Sequence, residues 1–349
     1  MARKGSDDVI SRQNLRLVNN KPLIYYIIKT ALKFKKADVL VSTDSEEIRE
    51  LALLYGAQYI KRPKNLTKNS TSVKTICFDV IQKLQKNNVY YEKCLVLHPK
   101  IPLIKTNKIN NFFKNLEKNK PTIFGISNII DSKLGYGIEN SKNLLNLSPT
   151  KKQLAILNRI VGFNIKNFIQ NNGNFISPFY GIKLSDDETH SLISYHDFGT
   201  FEQILNRKKI LVRIDSTVKI GMGHVYNMLT ILNHFRNDEI LILMHKDRNL
   251  GHKKFKDNLY NTSFFKSNDE FTKIVNKFKP DIIFNDILNT TNSYMKKISK
   301  MTTMTVNFED CGEGKKLANL VFNPIFEKKK SPYNEFYGAK YACVRDEFR

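Results

Sequence analysis

The chain has no tryptophan and only four cysteines in 349 residues. Cys77, Cys94, Cys311 and Cys343 lie far apart and form no Cys-x-x-Cys pair. That removes the basis for a disulfide framework or a thiolate zinc site and leaves them as small buried side chains. Long apolar runs are missing too. No window approaches the ~18 consecutive apolar residues of a membrane helix, and the opening Met-Ala-Arg-Lys-Gly-Ser lacks the apolar core of a signal peptide. A cytoplasmic protein with no membrane partner is expected. Acidic residues are scarce: 33 Asp and Glu against 57 Lys and Arg, a formal charge of +24. Such a balance suits nucleic acid or anionic lipid. Here lysine is scattered through every segment, the longest basic run is Lys328-Lys329-Lys330, and basic and aromatic residues are not interleaved. The charge reads as a solvated basic surface, and nucleic acid is not an expected partner.

What is present suits a globular chain. A hydrophobic share of 41% with 26% charged residues can fill real cores and is too apolar for a disordered chain. The length exceeds the ~150 residues of a typical domain, so two domains are expected. Apolar spacing predicts a helix over 23–34, a strand over 38–41 leading into Ser42-Thr43-Asp44, and a helix from Glu46. Asp44 and Glu47 have capping-box spacing, and Gly56 stops that helix. Strand 58–60, helix 72–84, strand 94–98, helix 107–116 and strand 122–126 follow. The rhythm predicts an α/β domain with a largely parallel sheet. Residues 127–175 read as an insertion over the sheet edge, and 179–184 as a later strand. A second series starts at Lys209: strand 210–214, a glycine loop, helix 224–235, strand 239–244, helix 269–278, strand 281–284, helix 293–298 and strand 303–308. The boundary falls at 206–208, giving domains 1–206 and 209–349.

Ala2-Arg3-Lys4-Gly5-Ser6 and Arg12-Gln13-Asn14-Leu15-Arg16 combine a flexible glycine, hydroxyl and amide donors and three arginines, the groups that meet phosphates at strand ends. Together with Asn20-Lys21-Pro22-Leu23-Ile24, Val41-Ser42-Thr43-Asp44, Gly56-Ala57 and Lys61-Arg62-Pro63, in that order, they resemble the acylneuraminate cytidylyltransferase family over residues 2–205. These are the CMP-sialic acid synthetases and their legionaminic and pseudaminic relatives. The resemblance implies a nucleotide-diphospho-sugar transferase-like, Rossmann-like domain. The implied reaction joins CTP to a nine-carbon acidic sugar, a nonulosonic acid, with loss of pyrophosphate, in surface polysaccharide biosynthesis. It implies that Arg3, Gly5 and Ser6 line the triphosphate, that Asn14 meets cytosine, and that Arg12, Arg62 and His98 help bind the nucleotide. Asp197 stands at the second position of an Asp-x-Asp pair that holds Mg²⁺, so Arg3 and Asp197 are the implied catalytic residues. The family often dimerises, so a homodimer is the implied assembly.

The departures point to an alternative. Asp7 replaces a phosphate-seeking lysine, His98-Pro99-Lys100-Ile101-Pro102 replaces Gln-Pro-Thr-Ser-Pro, and Tyr195 falls at the first metal aspartate. The strand that precedes Ala-Arg in the family is absent from this sequence. A longer parent protein, or a degenerate, non-catalytic homologue acting as a binding or assembly partner, would account for this.

In the second half, Arg213-Ile214-Asp215-Ser216 and Ile220-Gly221-Met222-Gly223-His224-Val225-Tyr226-Asn227 read as strand, glycine turn and first helical turn. A histidine at such a place can act as general base. With Val306-Asn307-Phe308-Glu309-Asp310-Cys311-Gly312, Tyr337-Gly338-Ala339-Lys340-Tyr341 and Arg345-Asp346-Glu347-Phe348, the segment resembles the UDP-sugar hydrolase of the pseudaminic acid pathway. That implies a GT-B-type Rossmann-like half domain, truncated relative to the family, with His224 activating water and Asp215 as a polar partner. The arginine three residues after that histidine is Asn227 here.

Overall fold

The structure, a computed structural model, describes residues 2, 10–68, 70–117, 120–128, 139–140, 143–144, 154–328 and 332–343. The chain forms two compact units, Met1–Glu202 and Gln203–Arg349. Among the described residues no helix is long and apolar enough to cross a membrane.

The first unit opens on a hairpin, Leu17–Val18 against Lys21–Pro22, turned by Asn19 and Asn20, both at positive φ. Asparagine tolerates that conformation, which two-residue hairpin turns require. Helix α1 (Leu23–Leu32) follows and buries Leu23, Ile24, Ile27 and Ile28 on one face. Strand β1 (Leu40–Thr43), helix α2 (Glu46–Leu54) and strand β2 (Gln58–Lys61) make a parallel two-stranded sheet. Gly56, at φ +95, closes α2 as its position predicts. The cap differs from expectation: Ser45, not Asp44, accepts the amide of Ile48, because Ser45 is the residue that sits at the extended Ncap position.

Helix α3 (Val73–Lys86), strand β3 (Lys93–Leu97), helix α4 (Thr106–Glu117), strand β4 (Thr122–Asn128), strand β5 (Leu154–Asn164), helix α5 (Ile165–Gln170) and strand β6 (Phe179–Lys183) complete the frame. The sheet order is β6-β4-β5-β3. Two expectations are corrected. Residues 154–164, expected within an insertion over the sheet edge, form β5 inside the sheet, antiparallel to both β4 and β3. The sheet is therefore mixed. The pattern was legible in Ile160, Val161 and Phe163, all fully buried, but the surrounding polar residues hid it.

A second feature governs the site. Strands β1 and β3 belong to separate sheets, and among the described residues neither has a strand partner on the side facing the other. A cavity of about 740 Å³ lies there, lined by Val41, Ser42, Cys94, Val96, Ile24 and Ile81 among others, with Ala2 on its wall. The Ala2 amide donates to the carbonyl of Ser42 at 3.1 Å. Close-packed interiors do not keep apolar voids of this size.

The second unit is a seven-stranded sheet, parallel at every pairing, in the order β9-β8-β7-β10-β11-β12-β13. The strands are β7 (Lys209–Ile214), β8 (Glu239–His245), β9 (Asn261–Phe265), β10 (Ile282–Asp286), β11 (Met304–Phe308), β12 (Leu320–Asn323) and β13 (Glu335–Tyr337). Helices α8 (Gly223–Leu232), α10 (Asn268–Phe278) and α11 (Asn292–Ile298) cover the sheet. Helix α8 buries Val225, Met228 and Leu232 in one core, while Phe271, Val275, Met295 and Ile298 fill another. Each such side chain contributes roughly 1.5–3 kcal/mol. The strand order reverses between β7 and β10, which is where open α/β sheets bind ligands.

Candidate active sites of the two units

In the first unit the carboxyl ends of β2 and β3 carry two of the expected residues. Arg62 follows β2 and is buried; its guanidinium donates to the Ser42 carbonyl at 2.7 Å and to the Ser42 hydroxyl at 3.3 Å. The group ties β2 to the end of β1. His98 follows β3, and its Nδ1 accepts the amide of Lys100 at 3.1 Å. Burial, with the charges of Arg159, Lys100 and Arg62, holds its pKa well below the usual imidazole range. His98 is thus a neutral acceptor at neutral pH, and Arg62 and His98 share one neighbourhood.

This has a pH consequence. The native state leaves His98 unprotonated while the unfolded chain protonates it below about pH 6.5, so stability falls as pH drops through that point, by at most about 1.4 kcal/mol per pH unit. His98→Asn, which keeps an acceptor and cannot titrate, should flatten the fall in urea midpoint between pH 7 and 5.

The segment 10–16 meets the segment 188–197. The buried Gln13 donates to the Leu192 carbonyl at 2.6 Å, Arg16 donates to the Tyr195 hydroxyl at 3.0 Å and stacks on its ring, and Arg159 donates to Ser191 at 2.5 Å. Asn14 lies in the same short 3₁₀ turn as Gln13. Arg12, in left-handed conformation, is exposed and pairs with Glu47. Arg3, Gly5 and Ser6, with Asp7, lie outside the described residues.

Asp197 stands in the first turn of α7 (Tyr195–Asn206). Its Oδ2 accepts the amides of Ile193 and Ser194 at 2.8 and 2.7 Å and the Ser194 hydroxyl at 3.0 Å. Burial opposes its charge, but these three bonds outweigh it and set the carboxyl below its ordinary range. The geometry is that of a carboxylate reaching back to cap its own helix. Tyr195, bound to Arg16, supplies no second carboxylate, and the described residues hold no group of three His, Cys, Asp or Glu able to bind a metal. Among the described residues the donor set, Asp197 alone, does not fit the expected Mg²⁺.

In the second unit His224 lies in the first turn of α8, at the switch point between β7 and β10. Its Nδ1 is 2.6 Å from Oδ1 of Asp286, the last residue of β10, and its Nε2 is 3.9 Å from Oε2 of Glu309. The hydrogen bond to Asp286 raises the His224 pKa against the opposing effect of burial, and the charges of Asp286 and Glu309 add to the rise. A Cβ on Gly221 or Gly223 would meet nothing within 4 Å, so the glycine turn that leads into α8 borders open space. Asp215 is not the partner of His224: its carboxylate is held by Arg213 and by Arg248, the latter at 3.0 Å. Sequence reading missed Asp286 because the strand was expected to end at Phe284; a carboxylate closing an apolar strand was the available signal.

The loop after β11 carries Glu309 at φ +51. Asp310, fully buried, accepts from the Thr290 amide, the Thr290 hydroxyl, the Asn307 side chain and the Gly312 amide, all within 2.5–2.9 Å. A Cβ at Gly312 would stand 2.2 Å from the Thr290 carbonyl oxygen, so the loop can close only over glycine.

Comparison with known proteins follows this geometry. The family model described as Cytidylyltransferase matches residues 1–194, more than half of the chain. The chain belongs to the cytidylyltransferase family. The chain is similar to the pseudaminic acid cytidylyltransferase of Campylobacter jejuni, 33% identical over 119 residues that cover 34% of the chain and 51% of that protein. It is similar to the CMP-N,N'-diacetyllegionaminic acid synthase of Legionella pneumophila, 33% identical over 112 residues, 32% of the chain and 48% of that protein. A third relative, from Helicobacter pylori, is named pseudaminic acid cytidylyltransferase and UDP-2,4-diacetamido-2,4,6-trideoxy-beta-L-altropyranose hydrolase. It is 24% identical over 328 residues, covering 87% of the chain and 62% of that protein. The chain thus spans 48–62% of the length of these curated relatives.

Proposed function

We propose that the first unit transfers a cytidylyl group from CTP to a nonulosonic acid. The sugar's anomeric hydroxyl attacks the α-phosphorus, the bond to the bridging oxygen breaks, and pyrophosphate leaves with the electron pair. The family match over residues 1–194 carries this reading, and the printed names of the relatives supply the substrate class. The clustering of Arg62, His98 and Arg159 supports it, since a buried and a half-buried cation beside a neutral acceptor suit a polyanionic nucleotide. Purified protein given CTP, Mg²⁺ and sialic, legionaminic or pseudaminic acid should release pyrophosphate with at least one of them. Silence with all three would remove the activity.

A second reading, a non-catalytic binding partner, is favoured by one observation: the Asp197 carboxylate is engaged in capping α7 and has no partner carboxylate at Tyr195. Calorimetric titration separates the two, because the enzyme binds CTP and the non-catalytic homologue does not.

For the second unit the reading is a hydrolase-like module that adds water across a UDP-sugar linkage, with His224 as base. Its support is the double name of the Helicobacter pylori relative and the place of His224 at the switch point. Linked steps of nonulosonic acid synthesis, and through them a place in surface polysaccharide assembly, follow from both readings.

A further inference from the structure

His224 is flanked by carboxylates on both ring nitrogens, and the two differ. Asp286 closes β10 in the interior and meets Nδ1 at 2.6 Å, whereas Glu309 comes from the loop after β11 and stays 3.9 Å from Nε2. Burial raises the pKa of the Asp286 carboxyl, with the charges of Glu309 and Asp215 adding to the rise and the bond and charge of His224 opposing it. Ionised against His224, the carboxylate only accepts, so Nδ1 carries the hydrogen and the Nε2 lone pair is the group able to take a proton. The gap on the Nε2 side is too long for a direct bond and of the length a bridging water or substrate hydroxyl spans.

We infer that Asp286 is a positioning residue that fixes His224 with Nδ1 protonated and Nε2 facing the open side, where Glu309 stabilises the imidazolium once a proton arrives. Supporting geometry comes from every element around the ring. Asp215, at the end of β7, is neutralised by Arg213 and Arg248 and so does not compete for the imidazole. Glu309 is held in left-handed backbone conformation by a loop pinned through Asp310. Strain of this kind persists where the surroundings over-determine it. As a base, His224 works deprotonated, so base-dependent turnover should rise with pH through its raised titration midpoint.

The kinetic part of this inference rests on the hydrolase reading; the structural part does not. Nitrogen NMR of the full chain labelled at histidine should show the Nδ1–H tautomer for His224 and a midpoint above 6.5. In Asp286→Asn, with an otherwise native amide spectrum, the midpoint should fall by about one unit or more and the single tautomer be lost. Glu309→Gln should lower the midpoint less and keep the tautomer, and it serves if Asp286→Asn does not fold. With a UDP-sugar that wild type hydrolyses, Asp286→Asn should lose about 10³–10⁴-fold in kcat at little change in KM. Asp286→Glu should recover part of that. An unchanged tautomer and midpoint in Asp286→Asn, or loss of the tautomer in Glu309→Gln, overturns the inference. The expected NMR result without any UDP-sugar turnover by wild type overturns the hydrolase reading and leaves the positioning role standing.

Discussion

Asp310→Ala should cost the second unit about 4 kcal/mol, enough to take it to the edge of unfolding. The carboxylate is fully buried and gathers four donors: two from Thr290, one from Asn307 and one from Gly312. Removing it leaves those donors buried without an acceptor, at about 1–3 kcal/mol each, offset in part by relaxation and entering water. The network reaches further, since Asn307 also receives the Asn285 amide and Asn285 accepts the Tyr294 hydroxyl at 2.7 Å. Thr290→Val, which removes one hydroxyl donor and keeps the volume, should cost about 1 kcal/mol. Urea unfolding followed by far-ultraviolet circular dichroism would compare them. An Asp310→Ala cost no larger than that of Thr290→Val would mean the loop carrying Glu309 is held by something other than this carboxylate.

Legibility in the sequence followed periodicity. In the second unit, strands at 210–214, 239–244, 281–284 and 303–308 and helices near 224, 269 and 293 stand where apolar spacing puts them, because a sheet covered on both faces needs near-continuous apolar strands. Strands β9, β12 and β13 escaped: Asn261-Thr262-Ser263 and Asn323 place polar side chains in short segments. In the first unit, β5 is eleven residues long and largely apolar, but it lies in a stretch otherwise rich in Asn, Lys and Ser. The site showed a similar divide. Gly-Met-Gly-His marked the turn and the start of α8, with His224 in its first turn. Asp286 acquires meaning only when β10 is laid beside β7, and no local pattern reports that adjacency. Asp197 shows the converse: a family position pointed to a metal, while three hydrogen bonds from its own helix start engage the same carboxylate.

The other large effect concerns the cavity between β1 and β3. A run of five or six valine, isoleucine and alanine residues in place of Met1, joined to Ala2, should raise the melting temperature of the first unit by about 6–12 °C. The slot has the fittings for a strand. Among the described residues no strand pairs with the edges of β1 and β3 facing it, its lining is mostly apolar, and the Ala2 amide already donates to the Ser42 carbonyl. Five or six residues match the usual strand length, about 17–20 Å. Burying their side chains gains roughly 8–15 kcal/mol, and fixing their backbone costs about 1–2 kcal/mol per residue, for a net near 3 kcal/mol. A glycine-serine extension of equal length is the control, and hydrogen exchange should slow in Leu40–Thr43 and Lys93–Leu97 only with the apolar run. Equal behaviour of the two extensions would mean the slot closes on itself in solution. The outcome bears on catalysis, because Ser42, which anchors Arg62, and His98 stand at the ends of the two strands that the slot separates. Pyrophosphate release should therefore increase with the apolar extension and not with the control, since a continuous sheet fixes the spacing of the residues proposed to hold CTP.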